Sequence, residues 1–167
     1  MRLTLAATLL FLVSPVLAAD DHLKITWEKN YLTITGEHLP GDISVNYLEA
    51  YCRPGSTDRE WGKTVIGHKT ELIEASDDHR VIKLKCTLKD GVIVHHTITA
   101  GKDEVDFRLT AHNPTDEASL AHWAQPCIRL DKFIGVERKH SSEEYLPKSF
   151  IFVDGKLTRM KTQPWAT

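Results

Sequence analysis

The chain lacks almost every local signature of chemistry. It has no CxxC pair, no HExxH or HxH, no P-loop, no GxSxG and no GxGxxG. That removes the zinc ribbon, the zincin helix, the phosphate-cradling loop, the nucleophile elbow and the dinucleotide turn. Nine histidines are scattered without ligand spacing, so no metal site and no cofactor is expected. Charge of one sign is also missing: 21 Lys plus Arg stand against 23 Asp plus Glu, with no basic run or stripe. Phosphate neutralisation needs clustered cations, so nucleic acid is excluded as a partner, and nothing favours an anionic membrane surface. Cysteine is scarce. Cys52, Cys86 and Cys127 permit one disulfide and leave one thiol over; a buried free thiol, an intermolecular bridge and a partner in further sequence all stay open.

Long apolar runs are absent except at the start. "MRLTLAATLLFLVSPVLA" has a basic Arg2, an apolar run from Leu3 to Val13 and small residues up to Ala18. It reads as a secretory signal peptide, residues 1–18, with a run too short to span a bilayer comfortably. Cleavage after Ala18 leaves 149 of the 167 residues, enough for a single domain over 19–167. The expected location is secreted or periplasmic, with no membrane association after cleavage. The end, "KLTRMKTQPWAT", stops two residues beyond Trp165; a frayed terminus and a chain truncated at its C-terminus both fit.

Short runs rich in Val, Ile, Thr and aromatics recur between turn signals, and helical periodicity is weak. The expectation is an all-β fold, an antiparallel β-sandwich. In "LKITWEKNYLTITG" a turn at Lys29-Asn30 sets Trp27 opposite Leu32 and Ile25 opposite Ile34. In "VIKLKCTLKDGVIVHHTITAG" a three-residue loop, Lys89-Asp90-Gly91, aligns Cys86 with Val94, Leu84 with His96 and Ile82 with Ile98, whereas a two-residue loop would turn the apolar set over. Neighbours on a strand point to opposite sides, so His95 faces solvent and His96 faces inward. A third hairpin turns at Asp154-Gly155, with loop length undecided. "EVDFRLTAH" puts Val105, Phe107, Leu109 and Ala111 on one face, and "NPTDEA" then breaks the chain.

The densest chemistry lies in "AHNPTDEASLAHWAQPCIRL". Strands on either side of the Asn-Pro turn are expected to gather His112, His122, Trp123, Gln125 and Arg129. Trp123, Gln125, Cys127 and Arg129 share a parity, and Pro126 removes a ladder donor, which marks an edge or a bulge. An indole offers a flat face to a sugar ring, Arg a bidentate fork, Gln a donor and an acceptor, and His a proton near neutrality. The bland alternative makes Trp123 core, Cys127 a small buried hydrophobe, Arg129 the partner of Asp131 and Gln125 the satisfier of a bulge. In "EAYCRPG" Glu49, Tyr51 and Arg53 share a parity, and Tyr51 and Arg53 are candidates to line a groove.

"EVDFRLTAHNPTDEASLAHWAQPCIRL", about 30 residues, resembles the central hairpin of the galactose-mutarotase-like β-supersandwich superfamily. The resemblance implies a large antiparallel sandwich with a concave sheet facing carbohydrate. It implies a general-acid histidine on the return strand, where His122 matches, and a general-base glutamate further on, where this chain has Glu143 and Glu144 in a charged segment. The chain also resembles a group of secreted bacterial β-proteins with "EAYCRPG"- and "HWAQPCIR"-like segments, to which no activity is assigned. The leading expectation is a carbohydrate-associated binding or accessory domain with Trp123, Gln125, Arg129, His112, Tyr51 and Arg53 at its ligand surface. The alternatives are a mutarotase-like or lyase-like enzyme using His122, and a structural envelope or matrix protein.

Overall fold

The computed structural model describes residues 21–55, 60–135 and 146–162. The leader-like segment 1–18, Glu143 and Glu144, and the terminal Pro164 and Trp165 lie outside the described residues. The fold is an all-β sandwich of antiparallel sheets. The first sheet contains β1 (Lys24–Glu28), β2 (Tyr31–Thr35), β3 (Ile43–Cys52), β4 (Val65–Ile66) and β9 (Trp123–Arg129). The second runs in the order β5 (His68–Ala75), β6 (Val81–Leu88), β7 (Ile93–Ala100), β8 (Val105–His112). A separate two-stranded hairpin joins β10 (Phe150–Val153) to β11 (Lys156–Arg159).

Apolar parity sets the register of each hairpin. Trp27 faces Leu32 and Ile25 faces Ile34 across β1 and β2, with Lys29 at φ 49° and Asn30 at φ 66° in the turn. Both central residues are left-handed, as a two-residue turn that follows strand twist requires. The third hairpin adopts the same kind of loop: Val153 pairs with Lys156 across Asp154 (φ 49°) and Gly155 (φ 74°). Between β6 and β7 the longer loop is the one formed. Cys86 pairs with Val94, Leu84 with His96 and Ile82 with Ile98, and the Leu88 amide donates to the Val92 carbonyl at 2.9 Å. Gly91 carries the left-handed turn at φ 94°, and an added Cβ there would sit 2.7 Å from Thr115 Cγ2. Gly91→Ala is therefore expected to cost about 1–2 kcal/mol of stability from backbone strain alone, read as a lower midpoint in urea. An unchanged midpoint would show that the loop relaxes freely.

The core lies between the sheets. Ile25, Leu32 and Val45 of the first meet Ile82, Leu84 and Ile98 of the second, all nearly inaccessible to solvent. The sheets are also tied by backbone: the Ile25 amide donates to the His79 carbonyl and the Leu23 amide to the Gly101 carbonyl, both at 2.8 Å. "RPGSTDREWG", a loop by sequence, ends in one turn of helix, α1 (Trp61–Thr64), whose Thr64 hydroxyl donates to the Trp61 carbonyl at 2.8 Å.

One expected pairing does not form. β8 and β9 are not a hairpin about the Asn-Pro turn: β8 pairs with β7, and β9 pairs with β3. The segment between them crosses from one sheet to the other. β9 lies along β3 opposite β2 and β4, so among the described residues β9 is an edge of the first sheet, as β8 is of the second. The register shift on β3 falls opposite Pro126: Asn46 pairs with Cys127 and Ala50 with Gln125. Pro126 has no amide to offer, so β3 carries extra residues there instead of ladder bonds. The edge and the bulge that proline signals are both present.

Candidate functional site

The bulge on β3 places two tyrosines over one histidine. Tyr47 and Tyr51 both turn inward, while Glu49 between them faces solvent. On β7, His96 points between the sheets as its parity requires, and is 1% exposed. The Tyr47 hydroxyl lies 2.9 Å from Nδ1 and the Tyr51 hydroxyl 3.1 Å from Nε2. A neutral imidazole has one donor and one acceptor, so one phenol donates to the ring and the other accepts from it. Each tautomer reverses the two roles. Beyond this unit the Thr70 hydroxyl and Cys86 Sγ are 3.3 Å apart, and the His68 ring meets Tyr51 edge-on at 5.0 Å.

Burial lowers the His96 pKa to about 4, helped by the nearby positive charge that His95 and His68 would carry. Burial, with Cys86 close by, raises both phenols above their ordinary value. Burial also lowers His68, against the raising effect of the Ile66 and Leu48 carbonyls. A ring held neutral and phenols held protonated do not exchange protons at neutral pH. The triad satisfies polar atoms inside the core and joins β3 to β7 across the sandwich. Sequence parity showed that His96 faces inward. Its partners were missed, although an inward imidazole already demanded some.

Beside this triad the sandwich is open along the border between β8 and β9. A cavity of about 400 Å3 is lined by Tyr51, Leu109, Asn113, Ser119, His122 and Trp123, among others. A second, of about 320 Å3, is walled by Tyr47, Phe107, Leu109, Ala124, Pro126 and Ile128, together with Val45 and Leu48. Leu109 belongs to both. Inward-parity side chains are left uncovered here: Leu109 is 49% exposed and Ile128 60%. The crossover forms the rim of the first cavity. Its Asn113 Oδ1 accepts from the Thr115 amide at 3.0 Å, and its Ser119 hydroxyl donates to Asp90 Oδ2 at 2.8 Å. These bonds pin the Asn-Pro segment to itself and to the β6–β7 loop.

The sequence-derived candidates divide between places. Tyr51, His122 and Trp123 meet at the first cavity. Trp123 is 39% exposed, and the His122 ring has no hydrogen-bond partner among the described residues. Gln125 and Arg129 share a face with Trp123, as parity required, but they do not share a hollow with it. Six residue steps along the strand separate Trp123 from Arg129, roughly 20 Å at the usual rise. Gln125 Nε2 instead donates to Glu49 Oε2 at 3.3 Å, and the Arg129 guanidinium lies 5.1 Å over the Tyr31 ring. His112 sits on the outward face of β8, opposite Ile93. Arg53 is half-buried and donates from Nη1 to the Val65 carbonyl, so it holds the end of β4. The shared parity of Glu49, Tyr51 and Arg53 does not give a shared surface, because Tyr51 is turned into the core.

All three cysteines are free thiols; Cys52 and Cys86 are buried and Cys127 half-buried. Among the described residues no three His, Cys, Asp or Glu side chains gather as metal ligands, and no helix is long and apolar enough to cross a membrane. Comparison with family models, with curated proteins and with solved structures finds no match to this chain.

Proposed function

We propose that this chain is an exported, carbohydrate-associated binding domain whose ligand sits at the mouth of the cleft beside Trp123. One observation carries the reading: a partly exposed indole borders a cavity of about 400 Å3 together with the His122 ring and the Asn113 amide. That volume is in the range of small-ligand sites, which combine apolar walls with few polar groups (about 300–1,000 Å3). The indole supplies the flat apolar surface a sugar ring stacks on, and His122 supplies hydrogen bonds at its edge, beside the one Asn113 amide N–H that the bonds to Thr115 and Glu117 leave over. The leader-like first eighteen residues support the exported location.

The catalytic reading needs a carboxylate or phenol to orient His122. Among the described residues the His122 ring has no such partner, so binding is the reading adopted. A glycan array followed by titration tests it. The wild type should bind at least one glycan, and Trp123→Ala should weaken that binding by at least about tenfold, the loss expected of a central aromatic anchor. Gln125→Ala and Arg129→Ala should leave it unchanged. Equal binding by the wild type and Trp123→Ala, or no glycan bound at all, overturns the proposal.

A further inference from the structure

The second cavity differs in kind from the first, and we infer from it that the ligand is a single-chain amphiphile. An uncharged hydroxylated head occupies the Trp123 end, and an aliphatic chain lies along β8 and β9. The inference rests on the binding role proposed for the Trp123 cavity and specifies its ligand class. Three observations support it. The walls contributed by Phe107, Leu109, Ala124, Pro126 and Ile128 offer hydrocarbon alone. Leu109 lines both cavities, so the two adjoin at its side chain. Among the described residues, polar side chains gather at the first cavity, at Asn113, Ser119 and His122, while the one polar group of the second, the Tyr47 hydroxyl, is held by His96 Nδ1 at 2.9 Å.

The exposures give the apolar end its significance. Leu109 and Ile128 have the strand parity of core residues, yet about half of each remains open to water. A sugar seated at Trp123 leaves Ile128 uncovered, whereas a chain extending from that sugar past Leu109 covers it and gains the free energy of apolar burial. The head is uncharged because, among the described residues, no Asp, Glu, Lys or Arg lines either cavity. An ionic head drawn into this border would lose water without gaining a counter-charge.

The test is calorimetric titration of the full chain with methyl, butyl, hexyl and octyl β-glucoside below their micellar concentrations, with octanol as control. Affinity should rise along the series, each added methylene tightening binding about twofold to fourfold, the upper figure being full transfer of one CH2 to an apolar site. Ala124→Phe fills the second cavity, and Ile128→Lys places a charge at an already exposed wall position. Both variants should retain methyl glucoside binding and lose the dependence on chain length. Methyl and octyl glucoside binding equally would overturn the chain assignment and leave the sugar-binding role standing. Octanol binding as tightly as octyl glucoside would overturn both. No binding by any glucoside, or a chain-length dependence that survives in both variants, would also refute the inference, as would a concentration-dependent dimer that blocks octyl glucoside.

Discussion

Replacing His96 with alanine will lower the unfolding free energy by about 3–5 kcal/mol, the range for a large-to-small core change that also strands polar groups. Two effects combine. The imidazole occupies a site that is 1% exposed, so its loss leaves a void between the sheets. It is also the partner of both tyrosine hydroxyls, at 2.9 and 3.1 Å. Without it two phenolic groups inside the sandwich lose a hydrogen bond, each at about 1–3 kcal/mol unless water enters. His96→Phe separates the effects by restoring volume without polarity, and should recover part of the loss. Denaturant unfolding with fixed slope gives the measurement. A change under about 1 kcal/mol for His96→Ala would mean that the triad contributes little to stability.

Acidification will weaken the fold before its carboxylates titrate. His96 is held neutral in the native state, with its pKa near 4, against 6.5 for the free side chain. Above pH 6.5 the ring is neutral folded or unfolded and has no pH-dependent effect. Between 6.5 and 4 the unfolded chain takes up a proton that the native ring refuses, so stability falls as pH falls, at up to about 1.4 kcal/mol per pH unit. Below 4 both states are protonated and the loss levels off at about 3 kcal/mol. His68, also lowered by burial, adds to the slope in the same direction. Asp78, Glu71 and Asp21 are lowered by their hydrogen-bond partners, chiefly Ser76, Lys69 and Lys102 respectively. They contribute stability above their unfolded values, lost only as pH falls below the window between 5 and 6.5. Unfolding curves at pH 7, 6 and 5 should therefore converge between the wild type and His96→Phe. Parallel loss in the two proteins would assign the slope to groups other than His96.

The sandwich was legible because its hairpins are short and amphipathic. Parity alone chose the Lys89-Asp90-Gly91 loop, since the shorter alternative would have set Cys86 against His95 and Leu84 against Thr97. The third hairpin offered no such contrast, and its loop length could not be read. The β8–β9 crossover was misread for a different reason. Asn113-Pro114 announces a reversal, but it does not say which sheet receives the returning strand. Residues 113–122 make ten positions between His112 and Trp123, more than the usual two to five of a tight hairpin. That length was the available warning. Three residues that line the first cavity, Tyr51, His122 and Trp123, were singled out from residue type. The rest was invisible because cavity walls such as Leu109 and Ile128 look like core on a strand, and only the gap between two sheet edges turns them into surface. The bulge that brings Tyr47 and Tyr51 over His96 was half visible, in Pro126, while the strand that bears it, β3, gave no local sign.

The two borders of the cleft are not equally defended against a stray strand. β9 carries Pro126, and its irregular ladder with β3 twists it away from flatness. β8 has eight residues in unbroken register with β7 and no proline. Among the described residues, the Asp106–Arg108 pair, 2.7 Å apart on its outer face, is the charge that discourages an incoming β-chain. Misassembly of the folded protein should therefore begin by growth of the second sheet along Val105–His112, while the proline-bearing side stays inert.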